Sequence, residues 1–276
     1  MYPAIFSRTY PSKRIKEVLE AIQADGFEGA QINLSSFGMD SLPTRLDYAS
    51  IAAGAAEAER LGISFAALSG TYNMAHPDPD IRSARRPGFL NVLKAAKATG
   101  TPIVTLCTGS RDADDMWNAH PENTTPSAWT DLRTELDWAL TEAHALGLVL
   151  AIEPEPGNVV RDSKIARKLL DQIGSAHLKI ILDAANLIGS DGLAHQSDII
   201  AEAVDLLGSN IVLAHAKDID TAGKVTTPGQ GAIDLPGFVA MLAAAGFDGA
   251  LPAHGFEADS SATAGAALAK LCGHPS

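Results

Sequence analysis

The chain has 276 residues, 46% of them hydrophobic and 20% charged, which suffices for a large core and suits either one α/β barrel or two small domains. A formal net charge of -12 opposes a nucleic-acid partner, whose phosphates call for a basic footprint. No apolar run approaches the roughly 18 residues of a membrane span, and Cys107 and Cys272, the only cysteines, supply neither a disulfide framework nor a thiolate metal site.

The opening stretch, MYPAIFSRTYPSKR, lacks the basic-then-apolar pattern of a signal peptide, so the cytoplasm is the expected location. Residues 4–8 (AIFSR) read as a first strand. Residues 12–24 follow as a helix, with Ile15, Val18, Leu19 and Ile22 at helical spacing, Ser12 as its expected N-cap and Gly26 as its stop. Residues 29–34 and 63–68 are the second and third strands, separated by an Ala- and Glu-rich helix over 48–61 that Gly62 closes. A loop with Gly70, Asn73, His76, Pro77 and Pro79 leads to a third helix at about 89–98, and 101–108 (TPIVTLCT) is strand four. Some twenty polar residues with Asp112, Asp114, Asp115, Trp117 and His120 come next, a length typical of lids and binding loops.

Leu132, Leu136 and Leu140 mark an amphipathic helix over 129–145, capped by Ser127. Beyond it the strands are apolar throughout, as in a parallel sheet covered on both faces: 148–153 (LVLAIE), 179–183 (KIILD), 211–216 (IVLAHA) and 250–254 (ALPAH). Helices over 165–173, 199–207, 238–245 and 262–271 alternate with them, and Asp234 caps the third of these. Eight strand-helix units without sequence repetition predict a single (β/α)8 TIM barrel over 1–276. A doubly wound open sheet is the alternative, but no G-x-G-x-x-G follows the first strand.

In a barrel, catalysis takes place at the C-terminal ends of the strands. Glu153, Asp183, His215 and His254 end strands five to eight, and four polar endings in a row are hard to assign to capping alone. Carboxylate and imidazole donors without thiolate suit a divalent ion such as Mn, Mg, Co or Zn. Glu155 shares strand parity with Glu153 and is an alternative ligand. Lys217 shares parity with His215, which aims it at a substrate oxygen or into a salt bridge.

The series Glu153, Asp183, His215-Ala216-Lys217-Asp218 and Gly229-x-Gly231-x-Ile233-Asp234, with SGTYNMAHPD at 69–78 and TLCTGSRDADDMW at 105–117, resembles the xylose isomerase-like sugar isomerase and epimerase superfamily, whose barrel is shared with apurinic-site endonucleases. The resemblance covers nearly the whole chain. It implies that Glu153, Asp183 and His215 hold a metal and that Glu153 also acts as a base. Superfamily members commonly end strand eight in a glutamate that is both fourth ligand and second acid/base; this chain has His254 there, with Glu257 three residues on as the candidate to fold back. Asn186 stands where relatives often have histidine; it can bond a hydroxyl but cannot carry a proton near neutral pH.

Among the remaining candidates, Asn73 and His76 fall where relatives contact substrate, or form a turn. Trp117 closes over a sugar ring or anchors its own loop, and Arg8 meets a substrate anion or bridges to a loop. A bare Gly229-x-Gly231 is weak evidence for phosphate binding. The expected partner is a small sugar or polyol, with no membrane and no nucleic acid, and the Ala-rich last helix offers a face to a second copy in a homo-oligomer. The expected activity is metal-dependent isomerisation or epimerisation of a sugar or sugar phosphate; dehydration of a keto-inositol on the same site, an endonuclease-like phosphodiesterase and a non-catalytic binding barrel are the alternatives.

Overall fold

A computed structural model of the chain describes residues 1–273. Strands and helices alternate from the start: β1 (Tyr2–Phe6), α1 (Ile15–Ala24), β2 (Gly29–Ile32), α2 (Tyr48–Leu61), β3 (Ser64–Ser69), α3 (Pro79–Thr99), β4 (Ile103–Cys107) and α4 (Pro126–Leu146). The second half runs β5 (Val149–Glu153), α5 (Ser163–Ile173), β6 (Leu178–Asp183), a one-turn α6 (Ala184–Ile188), α7 (Gln196–Leu207), β7 (Ile211–His215), a short hairpin of β8 (Asp218–Ile219) and β9 (Val225–Thr226), α8 (Leu235–Ala244), β10 (Ala250–Ala253) and α9 (Ser261–Leu271). Eight strands pair side by side in the order β10-β1-β2-β3-β4-β5-β6-β7, all parallel. The two edges meet where Ala216 bridges Ala253 and its N–H donates to Pro252 O at 3.0 Å, so the sheet closes into a (β/α)8 TIM barrel and the open-sheet alternative falls.

Strand side chains alternate between two environments. Ile5, Leu68, Leu150, Ile152, Ile180 and Leu182 pack outward into the layer shared with the helices. Ala4, Ala67, Ala151, Ile181, Leu213 and Ala250 form a separate apolar cluster in the barrel interior. That interior is built mostly from alanine. Continuing the inward parity toward the C-terminal ends, apolar residues give way to a polar layer that includes Gln31, Ser69, Thr105, Glu153, Asp183 and His215, all buried.

Several boundaries differ from the sequence reading, for identifiable reasons. The third helix, expected at about 89–98, starts ten residues earlier: α3 runs through Pro87 from an Asp78 cap, whose carboxylate accepts from Asp80 N at 2.8 Å, with Pro79 in the first turn. Ties to α4 hold this extra length: Arg86 pairs with buried Glu135 at 2.7 Å and Arg82 with Asp131 at 3.3 Å. Thr125 rather than Ser127 caps α4, accepting from Ala128 N at 3.3 Å. Ser12 does not cap α1; its hydroxyl donates to Glu17 at 2.8 Å and the helix begins after Arg14. In α9 the small residues are used within the chain, since Ala264 and Gly265 are buried and a β-carbon at Gly265 would lie 2.0 Å from Asp25 O. No helix among the described residues is long and apolar enough to cross a membrane.

Filling the alanine-lined interior should be costly. Ala151→Leu is expected to lower stability by about 1–3 kcal/mol in urea unfolding, whereas Ile152→Leu on the outward face should cost less than about 1.5 kcal/mol. Equal effects would contradict the division of the core into two clusters.

Candidate metal centre

At the C-terminal mouth, Glu153, Asp183, His215 and His254 each bring a donor atom within 4.8 Å of the others' donor atoms. The parallel register makes this possible: Asp183 pairs directly with His215 across β6 and β7, and Ala253 beside Ala216 brings His254 to the same level. His215 Nδ1 lies 3.1 Å from Glu153 Oε1 and 3.8 Å from Asp183 Oδ2, and His254 Nε2 lies 3.2 Å from Asp183 Oδ2. The two imidazoles meet edge-on, with centroids 4.5 Å apart.

Each of these groups is oriented from behind. Asp183 caps α6 with Oδ1, which accepts from Asn186 N at 3.1 Å, and so presents Oδ2 to the cluster. Asn186 Nδ2 donates to Glu153 Oε1 at 2.9 Å, while its own Oδ1 accepts from Lys217 Nζ. Lys217 Nζ also lies 3.7 Å from Asp183 Oδ2, the salt-bridge outcome allowed by the sequence. Gln31, on β2, went unrecognised in the sequence. Buried at the same level, it donates to Thr105 Oγ1 at 3.3 Å and its Oε1 stands 2.7 Å from His215 Nε2. A polar residue inside an otherwise apolar strand was the available signal.

Gln31 decides what His215 offers. A carbonyl oxygen can only accept, so the imidazole proton sits on Nε2 and Nδ1 is left with a lone pair facing Glu153 Oε1. Burial pushes His215 down to about 4, so the imidazole itself takes up no second proton near neutral pH. Burial and then His215 also lower His254. Burial and the Asp183 carboxylate push Glu153 up to about 7. Burial alone would raise Asp183, but the Lys217 ammonium and the two imidazoles hold it below the usual carboxylate range. Burial opposes the charge on Lys217, yet Asp183, Glu153 and Glu155 together hold it above its ordinary value. One ammonium thus faces several acidic groups, while lone pairs on nitrogen and oxygen point at one another. Oxygen and nitrogen donors in this arrangement fit a divalent cation.

The cluster opens into a cavity of about 360 Å³, lined also by Arg8, Gln31, Cys107, Met116, Trp117 and Glu155. Burial, then Glu153, pushes Glu155 up to about 8. Cys107 is buried beside both glutamates, and burial raises its thiol well above the ordinary value. Glu257 is exposed and does not line this cavity, so the structure puts Glu155, rather than Glu257, near the cluster. Trp117 is 51% exposed at the cavity wall and Arg8 is exposed beside it.

Asn73 and His76 are both engaged by backbone. Asn73 Nδ2 donates to Ser110 O at 2.9 Å and its Oδ1 accepts from Ser110 N at 3.0 Å. His76 Nδ1 accepts from Asp78 N at 3.0 Å, with Nε2 3.2 Å from Ala113 O. Together they fasten the long fourth loop. Its far side is fastened by Asn158, which accepts from Gly109 N at 2.7 Å and donates to Met116 O at 2.9 Å, and by Gly157, where a β-carbon would lie 1.9 Å from Trp117 O. The Gly229-x-Gly231 loop holds no phosphate cradle: the N–H groups of Gly229, Gly231 and Ile233 all donate to buried Asp218, at 2.9, 2.9 and 3.1 Å.

A parallel barrel with two carboxylates and two imidazoles converging at its C-terminal mouth belongs to the class of barrels built for small-molecule chemistry at that face. Residues 6–271 match the family model of the xylose isomerase-like TIM barrel, and the chain belongs to that family. Among solved structures it is similar to a xylose isomerase-like TIM barrel/4-hydroxyphenylpyruvate dioxygenase fusion protein, at 19% identity and a TM-score of 0.75, covering 98% of this chain and 42% of that one. It is also similar to the 3-keto-D-glucoside 4-epimerase of E. coli (18% identity, TM-score 0.77, 98% of each chain). A third is the D-psicose 3-epimerase of Clostridium cellulolyticum H10 (18% identity, TM-score 0.72, 98% of this chain and 92% of that one). At these identities the likeness is one of fold. No curated protein sequence matches the chain.

Removing the group that orients His215 should weaken cation binding without unfolding the barrel. Gln31→Leu is expected to reduce Mn affinity about 10- to 100-fold by isothermal calorimetry. Unchanged affinity would mean that His215 does not need Gln31 to present Nδ1.

Proposed function

We propose that the chain is a metal-dependent sugar isomerase or epimerase that moves a proton at a carbon adjacent to a carbonyl. The observation that carries this reading is the tetrad of Glu153, Asp183, His215 and His254, three of them buried and His254 half-buried, with Glu153, His215 and His254 lining a cavity that a further carboxylate, Glu155, also lines. The tetrad would hold the cation, which when bound polarises a sugar carbonyl and acidifies the neighbouring C–H. The sugar epimerases among its structural neighbours favour a sugar substrate.

Glu153 is the proton acceptor in this reading. Its hydrogen bond from Asn186 and its contact with His215 Nδ1 both fall on Oε1, which leaves Oε2 for a proton from the substrate carbon. Asn186 and Lys217 hold that carboxylate and Asp183 in place from one side. Glu155, one strand repeat further out, is the carboxylic acid that returns a proton, the role that the family resemblance would give to a strand-eight glutamate. Reprotonation at the same carbon from the opposite face inverts it; reprotonation at the neighbouring carbon isomerises the sugar. Trp117 and Met116, which line the cavity, would limit the access of water to these transfers.

The endonuclease-like reading asks for several ions with their own ligand sets. Among the described residues, the groups able to hold an ion are the tetrad and a Cys107, Glu153, Glu155 group that shares Glu153 with it. That supports one ion and a small substrate.

The test is solvent exchange. Protein stripped of metal, reloaded with Mn and incubated with D-tagatose, D-fructose and D-psicose in deuterated water should place deuterium on a carbon beside the carbonyl; no metal-dependent incorporation in any of them would overturn the reading. Glu153→Gln should slow incorporation about 100- to 10,000-fold. Glu155→Gln should still exchange that hydrogen while failing to form the second sugar, and full product formation by this variant would remove Glu155 from the mechanism.

A further inference from the structure

A second chamber of about 600 Å³ adjoins the metal cavity, and Ser41, Thr71 and Met116 line both. Its other walls come from the loops after β2 and β3, the first turns of α3 and the long fourth loop, and include Asp40, Leu42, Tyr72, Ile81, Arg85 and Asp114. The inner cavity lies at the low end of small-molecule site volumes and the pair together near the high end. A monosaccharide gripped by the tetrad would leave the outer chamber to water.

The chemistry of the outer walls selects what fits there. Asp40, Arg85 and Asp114 are exposed, and none of their charged ends is in an ion pair among the described residues. Two free carboxylates against one guanidinium repel a phosphate dianion, whereas carboxylates and a guanidinium accept from and donate to hydroxyls. Ile81 is 42% exposed and, with Leu42, gives one wall an apolar surface of the kind the C–H face of a pyranose covers. The polar atoms of Asn73 and His76 are already spent on backbone, and Tyr72 Oη donates to Glu135 at 2.7 Å, so these three shape the wall and the free charges do the recognising.

We propose that the substrate is a glycosylated ketose or keto-sugar: the reacting ring occupies the metal cavity and an uncharged second sugar ring fills the outer chamber, in preference to a phosphate. This rests on the reading of the tetrad as a sugar-binding metal centre and adds the class of substrate.

Binding can be measured on the Mn-loaded protein by calorimetry, with D-fructose, D-fructose 6-phosphate and two glucosyl-fructoses, isomaltulose (linked at O6) and turanose (linked at O3), as probes. At least one glucosyl-fructose is expected to bind tenfold or more tighter than D-fructose, and the phosphate no tighter. Ile81→Trp, a substitution on the surface of α3 that narrows the outer chamber, should return that disaccharide to the affinity of D-fructose while leaving D-fructose and Mn binding unchanged. A phosphate preference, or neither disaccharide binding more tightly than D-fructose, would overturn the two-ring proposal. Loss of Mn binding to the tetrad would instead sink the metal-centre reading, so the two failures are distinguishable.

Discussion

Two carboxylates and two imidazoles sit in the barrel mouth with donor atoms facing one another, and the site depends on what neutralises them. Lys217 supplies a single positive charge, placed to one side beside Asp183 and Asn186. Burial first, and then the like charge of Asp183, raise the energy of the ionised carboxylate, which is why Glu153 rises to about 7. A doubly charged cation at the centre of the tetrad would relieve both the charge excess and the lone-pair contact between His215 Nδ1 and Glu153 Oε1. Everything behind the tetrad serves to hold the donors at that focus: Gln31 fixes the His215 proton, the α6 turn takes one Asp183 oxygen, and Asn186 takes one Glu153 oxygen.

The scaffold makes room for this polar layer by being small beneath it. Alanines at 4, 67, 151 and 250 let the strands of the lower barrel close tightly, and the same inward parity then delivers Glu153, Asp183 and His215 to the mouth. The loops that follow are fixed by backbone bonds. Asp218 gathers the Gly-rich turn, where a β-carbon at Gly231 would lie 2.1 Å from its Oδ1, and Asn73, Asn123 and Asn158 clamp the fourth loop against its neighbours. The cavity walls are therefore organised before any ligand enters, which lowers the ordering cost of binding.

Much of this was legible in the sequence because buried parallel strands are apolar runs with abrupt polar endings. The tetrad could be read from those endings, since strand parity fixes which way each residue points. What could not be read came from tertiary context. Gln31 stands out in GAQINL only as a polar residue in an apolar strand, and its role shows only when β2 lies level with β7. Glu257 is the candidate second acid/base by analogy with relatives and Glu155 an alternative ligand by parity, but the chain leaves β10 at Ala253 and leaves Glu257 exposed, while Glu155 keeps the inward parity of β5. The sequence reading starts α3 ten residues late because Pro79 and Pro87 cost a helix locally, whereas the Arg82 and Arg86 ties to α4 that hold its first turns are not local. The second chamber arises only where three loops meet, which no single stretch announces.

The most direct measurement is anomalous diffraction at the manganese edge from crystals of the Mn-loaded protein. The account predicts one anomalous peak per chain, within bonding distance of Glu153, Asp183, His215 Nδ1 and His254 Nε2. A peak bound elsewhere, or tetrad side chains unchanged with no peak between them, would contradict it.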